Sequence, residues 1–237
     1  MLIEDFQDKP LGSLPKDWNV TILKNVVEKT ENRNPRKKPQ NTFRYIDVSS
    51  VSNETYRIIG WNELIGEEAP SRARKVVRSK DTIFATVRPY LKNIAQIPKY
   101  LDNEICSTGY CVLRANQRII DPDYLFFTAL SHSFMESVVS QQRGSSYPAV
   151  SNKVVLETTI PLPPLPEQRA IASVLSTVRQ AIEATEGVIA AARELKRSMM
   201  KHLFTYGPVP VDQADQVPLK ETEIGYKPED WEIKQVG

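Results

Sequence analysis

Cysteine, histidine and glycine are scarce in this chain of 237 residues, which holds two, two and nine of them. Two cysteines, Cys106 and Cys111, cannot build a disulfide framework, and no His/Cys cluster has zinc spacing. With only His132 and His202 and no Ser or Cys elbow nearby, a nucleophilic triad has no support. No apolar run approaches the ~18–20 residues that cross a bilayer. The first residues, MLIEDFQDKP, carry acids where a signal peptide carries positive charge, so the expected compartment is the reducing cytoplasm. Neither GxGxxG nor GxxxxGK[ST] occurs, which removes the usual nucleotide-phosphate loops. The string nearest to an N/D-P-P-Y methyltransferase motif is Asp121-Pro122-Asp123-Tyr124, with an acid in place of the second proline. Glu194-Leu195-Lys196 has nuclease letters but no upstream partner acid. The sequence therefore predicts no catalysis by this chain and no cofactor of its own.

Net charge is nearly absent too, at +2, yet that figure averages unlike segments. Residues 33–92 hold 13 basic against 6 acidic side chains, whereas residues 208–237 hold 3 against 7. A phosphate backbone responds to the local excess and not to the total.

What the chain has in plenty is proline, seventeen against nine glycines. Pro161, Pro163, Pro164 and Pro166 mark an extended, stiff connector within Glu157–Gln168. Before it, residues 1–160 read as an α+β or α/β-like globule. Strand-like runs fall at Phe43–Val51, Thr82–Val87, Ile94–Ile97 and Tyr110–Leu113, and helical spacing predicts one helix over Asp123–Ser140. CSTGYC reads as two buried strand cysteines around a Thr-Gly turn.

After the connector, about Pro166 to Tyr206 reads as a single helix of ~40 residues, about 60 Å long. Pro166 and Glu167 suit its first turn, and Lys201, His202, Gly207 and Pro208 mark its end. Ile171, Leu175, Val178, Ile182, Ile189, Ala192, Leu195, Met199 and Leu203 keep near-heptad spacing. Such a stripe needs a second long helix or the core of a larger bundle. Residues 161–207 are thus connector and spacer helix.

There is also an echo. LGSLPKDWNV (Leu11–Val20) returns as IGYKPEDWEI (Ile224–Ile233) at an offset of 213 residues, with Gly, Pro, Asp and Trp coinciding. It is either a common proline turn leading into a strand, or the start of a second unit within residues 208–237.

PLPPLPEQRAIASVLSTVRQAIEATEGVIAAARELKRSMMKHLFTYG closely resembles the conserved helical region of specificity (S) subunits of type I restriction–modification systems. GSLPKDW and GYKPEDW resemble the elements that open each half of such a subunit. KDTIFATVRPYLKNIA (Lys80–Ala95) and STGYCVLRA (Ser107–Ala115) resemble phrases of their target-recognition domains. A full S subunit carries two recognition domains and two helical regions, so the expectation is a half-subunit. The resemblance implies an α+β target-recognition domain followed by a long helix that pairs as an antiparallel coiled coil. It implies sequence-specific reading of double-stranded DNA, without catalysis, at a split site that is inverted if two copies pair.

The implied partners are methyltransferase subunits using S-adenosylmethionine, endonuclease-translocase subunits using ATP and Mg²⁺, and a second copy of the chain. Outward residues Arg179, Glu183, Glu186 and Arg193 are available to the methyltransferases. Candidate DNA contacts are Arg33, Arg36, Lys37, Lys38, Arg72, Arg74, Lys75, Arg78, Arg88 and Lys92, then Arg143, Ser145, Ser146 and Tyr147 in RGSSYP. Dimer contacts are expected from Ile171, Leu175, Val178, Ile182, Ile189, Leu195, Met199 and Leu203. Two other readings remain: a recognition domain severed from a fused DNA methyltransferase or restriction enzyme, or an assembly protein that pairs with a full S subunit.

Overall fold

The computed structural model describes residues 6–9, 11–144 and 148–234. The chain divides into two compact units, residues 1–175 and 176–237. The first opens with β1 (Phe6–Lys9), β2 (Gly12–Pro15), β3 (Asn19–Ile22) and β4 (Val27–Glu28). Next come β5 (Thr42–Ile46), β6 (Val51–Ser52), β7 (Arg57–Ile58), β8 (Asn62–Ile65) and β9 (Ala73–Val76). Then follow β10 (Thr82–Ala85), β11 (Ile94–Gln96), β12 (Ile105–Ser107) and β13 (Tyr110–Ala115). Three helices, α1 (Pro122–Leu130), α2 (His132–Val139) and α3 (Asn152–Glu157), precede β14 (Thr159–Leu162) and the long α4 (Leu165–Tyr206).

Two four-stranded sheets form the body of this unit, in the orders β11-β10-β13-β4 and β8-β5-β12-β9. All neighbours are antiparallel except β5 and β12. Strand alternation explains the layering, because successive side chains point to opposite faces. From β10 and β13, Phe84, Cys111 and Leu113 enter one core with Tyr124, Phe126, Phe134 and Val155 of the helices. Their neighbours Ile83, Ala85, Tyr110 and Val112 enter a second core with Ile46, Leu101 and Cys106. Tyr45 and Ile105 of the second sheet turn to a third, smaller cluster. The order is thus helices, sheet, sheet: an α+β domain whose central sheet is buried on both faces.

The predicted helix over Asp123–Ser140 is two helices. Ser131 sits at φ −62°, ψ 150°, accepts from Phe134 N and donates to Thr128 O at 2.8 Å. A serine that caps one helix while closing another breaks the run without disturbing its apolar period. Asp121-Pro122-Asp123-Tyr124 is a helix start: Asp121 Oδ1 accepts from Asp123 N and Tyr124 N at 2.9 and 3.1 Å, with Pro122 in the first turn. The proline connector contains a strand, since β14 pairs antiparallel with β3, Pro161 opposite Val20. A two-stranded ribbon leaves Pro161 an outer edge where its missing N–H costs nothing.

The second unit holds α4 from Ser176 onward, a 3-10 turn at Val211–Gln216, and the hairpin β15 (Leu219–Lys220) and β16 (Lys227–Pro228). Gly207, at φ +82°, ends α4 by donating from its N–H to Leu203 O at 3.0 Å.

The sequence echo is a structural one. β2 pairs with β1, with Pro15 opposite Phe6, and β16 pairs with β15, with Pro228 opposite Leu219, again 213 residues on. Gly12 and Gly225 take φ +98° and +93°, and Trp18 N and Trp231 N each reach the proline three residues back at 3.1 Å. Gln7 Nε2 donates to Lys16 O at 3.0 Å, and Lys220 Nζ to Glu229 O at 2.6 Å, the same pair of positions.

Candidate nucleic-acid interface

The basic residues singled out in the sequence serve two purposes. Some hold the domain together. Lys75 Nζ donates to Tyr110 O, and Arg74 Nη1 to Ala73 O at 2.7 Å. Arg36 Nε donates to Ala69 O at 2.9 Å, and Arg33 Nη1 to Asn103 O at 3.1 Å. Arg78 pairs with Glu31 at 3.7 Å. A guanidinium folded onto a carbonyl can still present an N–H edge to a phosphate, but its position is set by the protein.

Lys37, Lys38 and Arg72 are exposed and make no side-chain hydrogen bond or ion pair among the described residues. Lys37 and Lys38 line an open cleft of about 890 Å³ together with Arg33 and Arg74. The same cleft is edged by Asn32, Asn34, Asn41 and Asn103. Asp102 and Glu104 also line it. Asn103 Oδ1 accepts from Arg33 Nη2 and Asn34 Oδ1 from Arg36 N, which leaves the carboxamides of Asn32 and Asn41 as the ones of the type that pair with both edge groups of adenine. The sequence signal was the run ENRNPRKK; Asn103 lies far along the chain and arrives by tertiary folding.

Arg88, Lys92 and Arg143 form a second group. Arg88 N donates to Pro148 O at 2.7 Å, Val87 faces Ala149, and Ala149 faces Arg143 across a narrow ladder. Arg88 and Arg143 are exposed, and Lys92 is partly so. Ser145, Ser146 and Tyr147 lie outside the described residues.

Both cysteine thiols are sealed instead. Burial pushes the Cys106 thiol up to about 12 and the Cys111 thiol up to about 11, and both are closed from solvent. Such thiols are neutral and inert at physiological pH. Asp81 is buried, which raises its pKa, while the Arg114 fork at 2.8 Å opposes that shift. Its Oδ2, which accepts from Arg114 Nη2, also accepts from Arg78 N at 2.8 Å, so it is a structural carboxylate. Among the described residues no group of three His, Cys, Asp or Glu is disposed to hold a metal, and no helix is long and apolar enough to cross a membrane.

The helix start explains the proline signature. Gln168 is fully buried, and its amide is satisfied three times: Oε1 accepts from Asp121 N at 2.8 Å, while Nε2 donates to Pro163 O at 2.8 Å and Ile119 O at 3.1 Å. Trp18 Nε1 donates to Glu167 Oε2 at 3.0 Å. Together with buried Ala172 and half-buried Ile171, these contacts fasten the first turns of α4 to the N-terminal core. In the sequence Glu167 stands out as a dipole partner, Trp18 as part of the echo and Gln168 as the end of the proline signature; their bonds to distant segments carry no local signal.

Of the eight helix positions expected at an interface, Ile171 packs inward. Leu175, Val178, Ile182, Ile189, Leu195, Met199 and Leu203 are exposed. Arg179 pairs with Glu183 at 3.2 Å along the helix, and Glu186 and Arg193 face solvent.

Comparison with known proteins agrees with this layout. The type I restriction modification DNA specificity domain matches residues 15–193. The type I restriction enzyme MjaVIII specificity subunit of Methanocaldococcus jannaschii is 37% identical over 54% of this chain and 29% of its own length. The MjaIX specificity subunit of the same organism is 24% identical over 98% of this chain and 54% of its own length. The crystal structure of the HsdS subunit from Thermoanaerobacter tengcongensis superposes with a TM-score of 0.69 at 42% identity, covering 84% of this chain and 51% of that one. The chain spans about half the length of the relatives it matches, or less. With a match over most of its length and the same order of sheet-rich domain and long helix, the chain belongs to the type I restriction–modification DNA specificity family.

Proposed function

We propose that this chain is the non-catalytic, sequence-reading component of a type I restriction–modification complex and reads one half of a split site in double-stranded DNA. Cations and carboxamides at the 890 Å³ cleft and on the Arg88–Arg143 ladder supply phosphate and base-edge contacts. The observation that carries the reading is the combination of that surface with a 42-residue helix whose apolar stripe is uncovered. A helix of this length, about 63 Å, serves as a spacer.

A second copy of the chain covers the stripe in an antiparallel pair, which sets two recognition domains on a two-fold axis. The site is then an interrupted palindrome whose half-sites are separated according to helix length. Methyltransferase subunits, which carry S-adenosylmethionine, dock on the outward helix face around Glu186 and Arg193. Endonuclease-translocase subunits, using ATP and Mg²⁺, join that core in the cytoplasm.

Methylation-sensitive sequencing of a host carrying this chain with its methyltransferase tests the whole reading. A symmetric split motif is expected. An asymmetric motif removes the homodimer, and methylation unaltered by deleting this chain removes the function.

A further inference from the structure

We infer that Tyr90 and Leu91 form a wedge that enters a groove of the DNA duplex and reads one base step. This inference rests on the DNA-reading function proposed above and names a contact within it.

The segment Arg88–Lys92 is a single 3-10 turn, Pro89–Leu91, bracketed by two residues in left-handed backbone. Arg88 has φ 47° and ψ 57°, and Lys92 has φ 55° and ψ 39°. Neither is glycine, the residue for which that conformation carries no steric cost. Strain of this kind persists only where the surroundings enforce it, and it gathers at sites where a side chain must be aimed. Here the surroundings do enforce it. Pro89 is buried, Asn93 Nδ2 donates to Val48 O at 3.3 Å, and Arg88 N is tied to Pro148 O.

On this fixed base stand two large apolar side chains, Tyr90 at 47% and Leu91 at 38% exposure. The other exposed aromatics of this domain, Trp61 and Tyr100, contact each other with ring centroids 5.6 Å apart, and Arg44 lies over the Trp61 ring. No ring contact of that kind covers Tyr90 among the described residues.

Charge says what the turn meets. From Thr82 to Leu101 the sequence has no acidic residue, and from Ser137 to Leu156 it again has none. The structure brings these two acid-free segments together on the ladder that joins Val87, Ala149 and Arg143. At sheet spacing, Arg143 lies about 10 Å from Val87. An apolar tip between cations, with no carboxylate on either supporting strand, suits a polyanion with a stacked apolar interior. Duplex DNA has both, and apolar wedges between base steps are an established way to use them. Lys92 and Arg143 then hold phosphates on either side while Tyr90 and Leu91 sense the step by fit.

Selection on a pool of short duplexes with randomised cores, using the full chain, tests the assignment. Wild type is expected to enrich one motif. Tyr90→Ala and Leu91→Ala are expected to lose preference at a single step of it, with roughly 5- to 100-fold weaker binding to the enriched duplex. Their salt dependence on sonicated genomic duplex DNA stays unchanged. Lys92→Gly, which relieves the backbone strain, is expected to keep the motif while lowering the salt slope by about 0.9. Tyr100→Ala, an exposed aromatic elsewhere, serves as the control and should leave the motif intact.

An unaltered motif in both wedge variants overturns the inference while leaving the DNA-reading function standing. If those variants keep the motif but lose capture of the methyltransferase subunit, the turn docks protein, and the inference is equally overturned. Enrichment of no motif by wild type overturns both readings.

Discussion

The N-terminal domain and the long helix use apolar residues in opposite ways. In the domain, Phe84, Ile83, Leu113 and Val112 alternate along two strands and all are buried, because sheet and helices supply a cover for each face. Along α4, Leu175, Ile182 and Leu195 recur just as regularly, yet they are 39%, 54% and 61% exposed. Periodicity alone does not separate a finished core from an unfinished one. What separates them is whether the chain brings up a second layer. In the domain each apolar face meets a second layer; along the helix the apolar stripe stays exposed.

The largest test of that contrast is to charge the stripe. Leu175→Glu with Ile182→Glu should weaken self-association by at least a hundred-fold, since each carboxylate must lose its water in the pair. Sedimentation velocity would show monomer, and the unfolding midpoint of the domain should hold. An unchanged dimer would mean that another face of the helix pairs.

Next in size is the joint between the regions' elements. Gln168→Ala leaves Asp121 N–H and the carbonyls of Ile119 and Pro163 without their buried partner. Two to three unmet groups should lower stability by about 2–4 kcal/mol in urea titration. A loss below about 1 kcal/mol would mean that water replaces the amide.

The repeated tryptophans give a smaller and more discriminating comparison. Trp18→Phe deletes the bond to Glu167 and should cost about 1–2 kcal/mol. Trp231 occupies the same turn but packs near Gly207, with no indole bond among the described residues. Its change to Phe should stay within about 0.5 kcal/mol. Equal costs would show that the turn, and not the helix contact, is what the motif serves.

Least visible of all is the chemistry of the thiols. With pKa values pushed to about 12 and about 11 by burial, Cys106 and Cys111 are nearly wholly protonated at pH 8. Iodoacetamide should leave both unmodified in the native protein and alkylate both in denaturant. Native labelling of either would mean that the sheet interface opens.

The sequence by itself determined the order of the parts: a strand-rich domain, a proline connector, a long helix and an echoed opening. These are legible because they rest on local rules. Proline fixes φ, apolar spacing reports period, and four coinciding residues report a repeated turn. The break at Ser131 escaped the same reasoning, since a serine cap leaves the apolar period intact.

Only the tertiary structure decided which cations are structural. Lys75 and Arg74 look like Lys37 and Arg72 in the sequence, but Lys75 bonds a carbonyl of a distant strand, Arg74 folds onto the carbonyls of Ala73 and Pro70, and the other two face solvent. It also brought Asn103 beside Arg33 and Ala149 beside Val87, and it bonded Gln168 to Asp121, nearly fifty residues away. The physical reason is that a side chain's role depends on what the fold sets opposite it, and sheet register and layer order assemble that opposite surface from residues far along the chain.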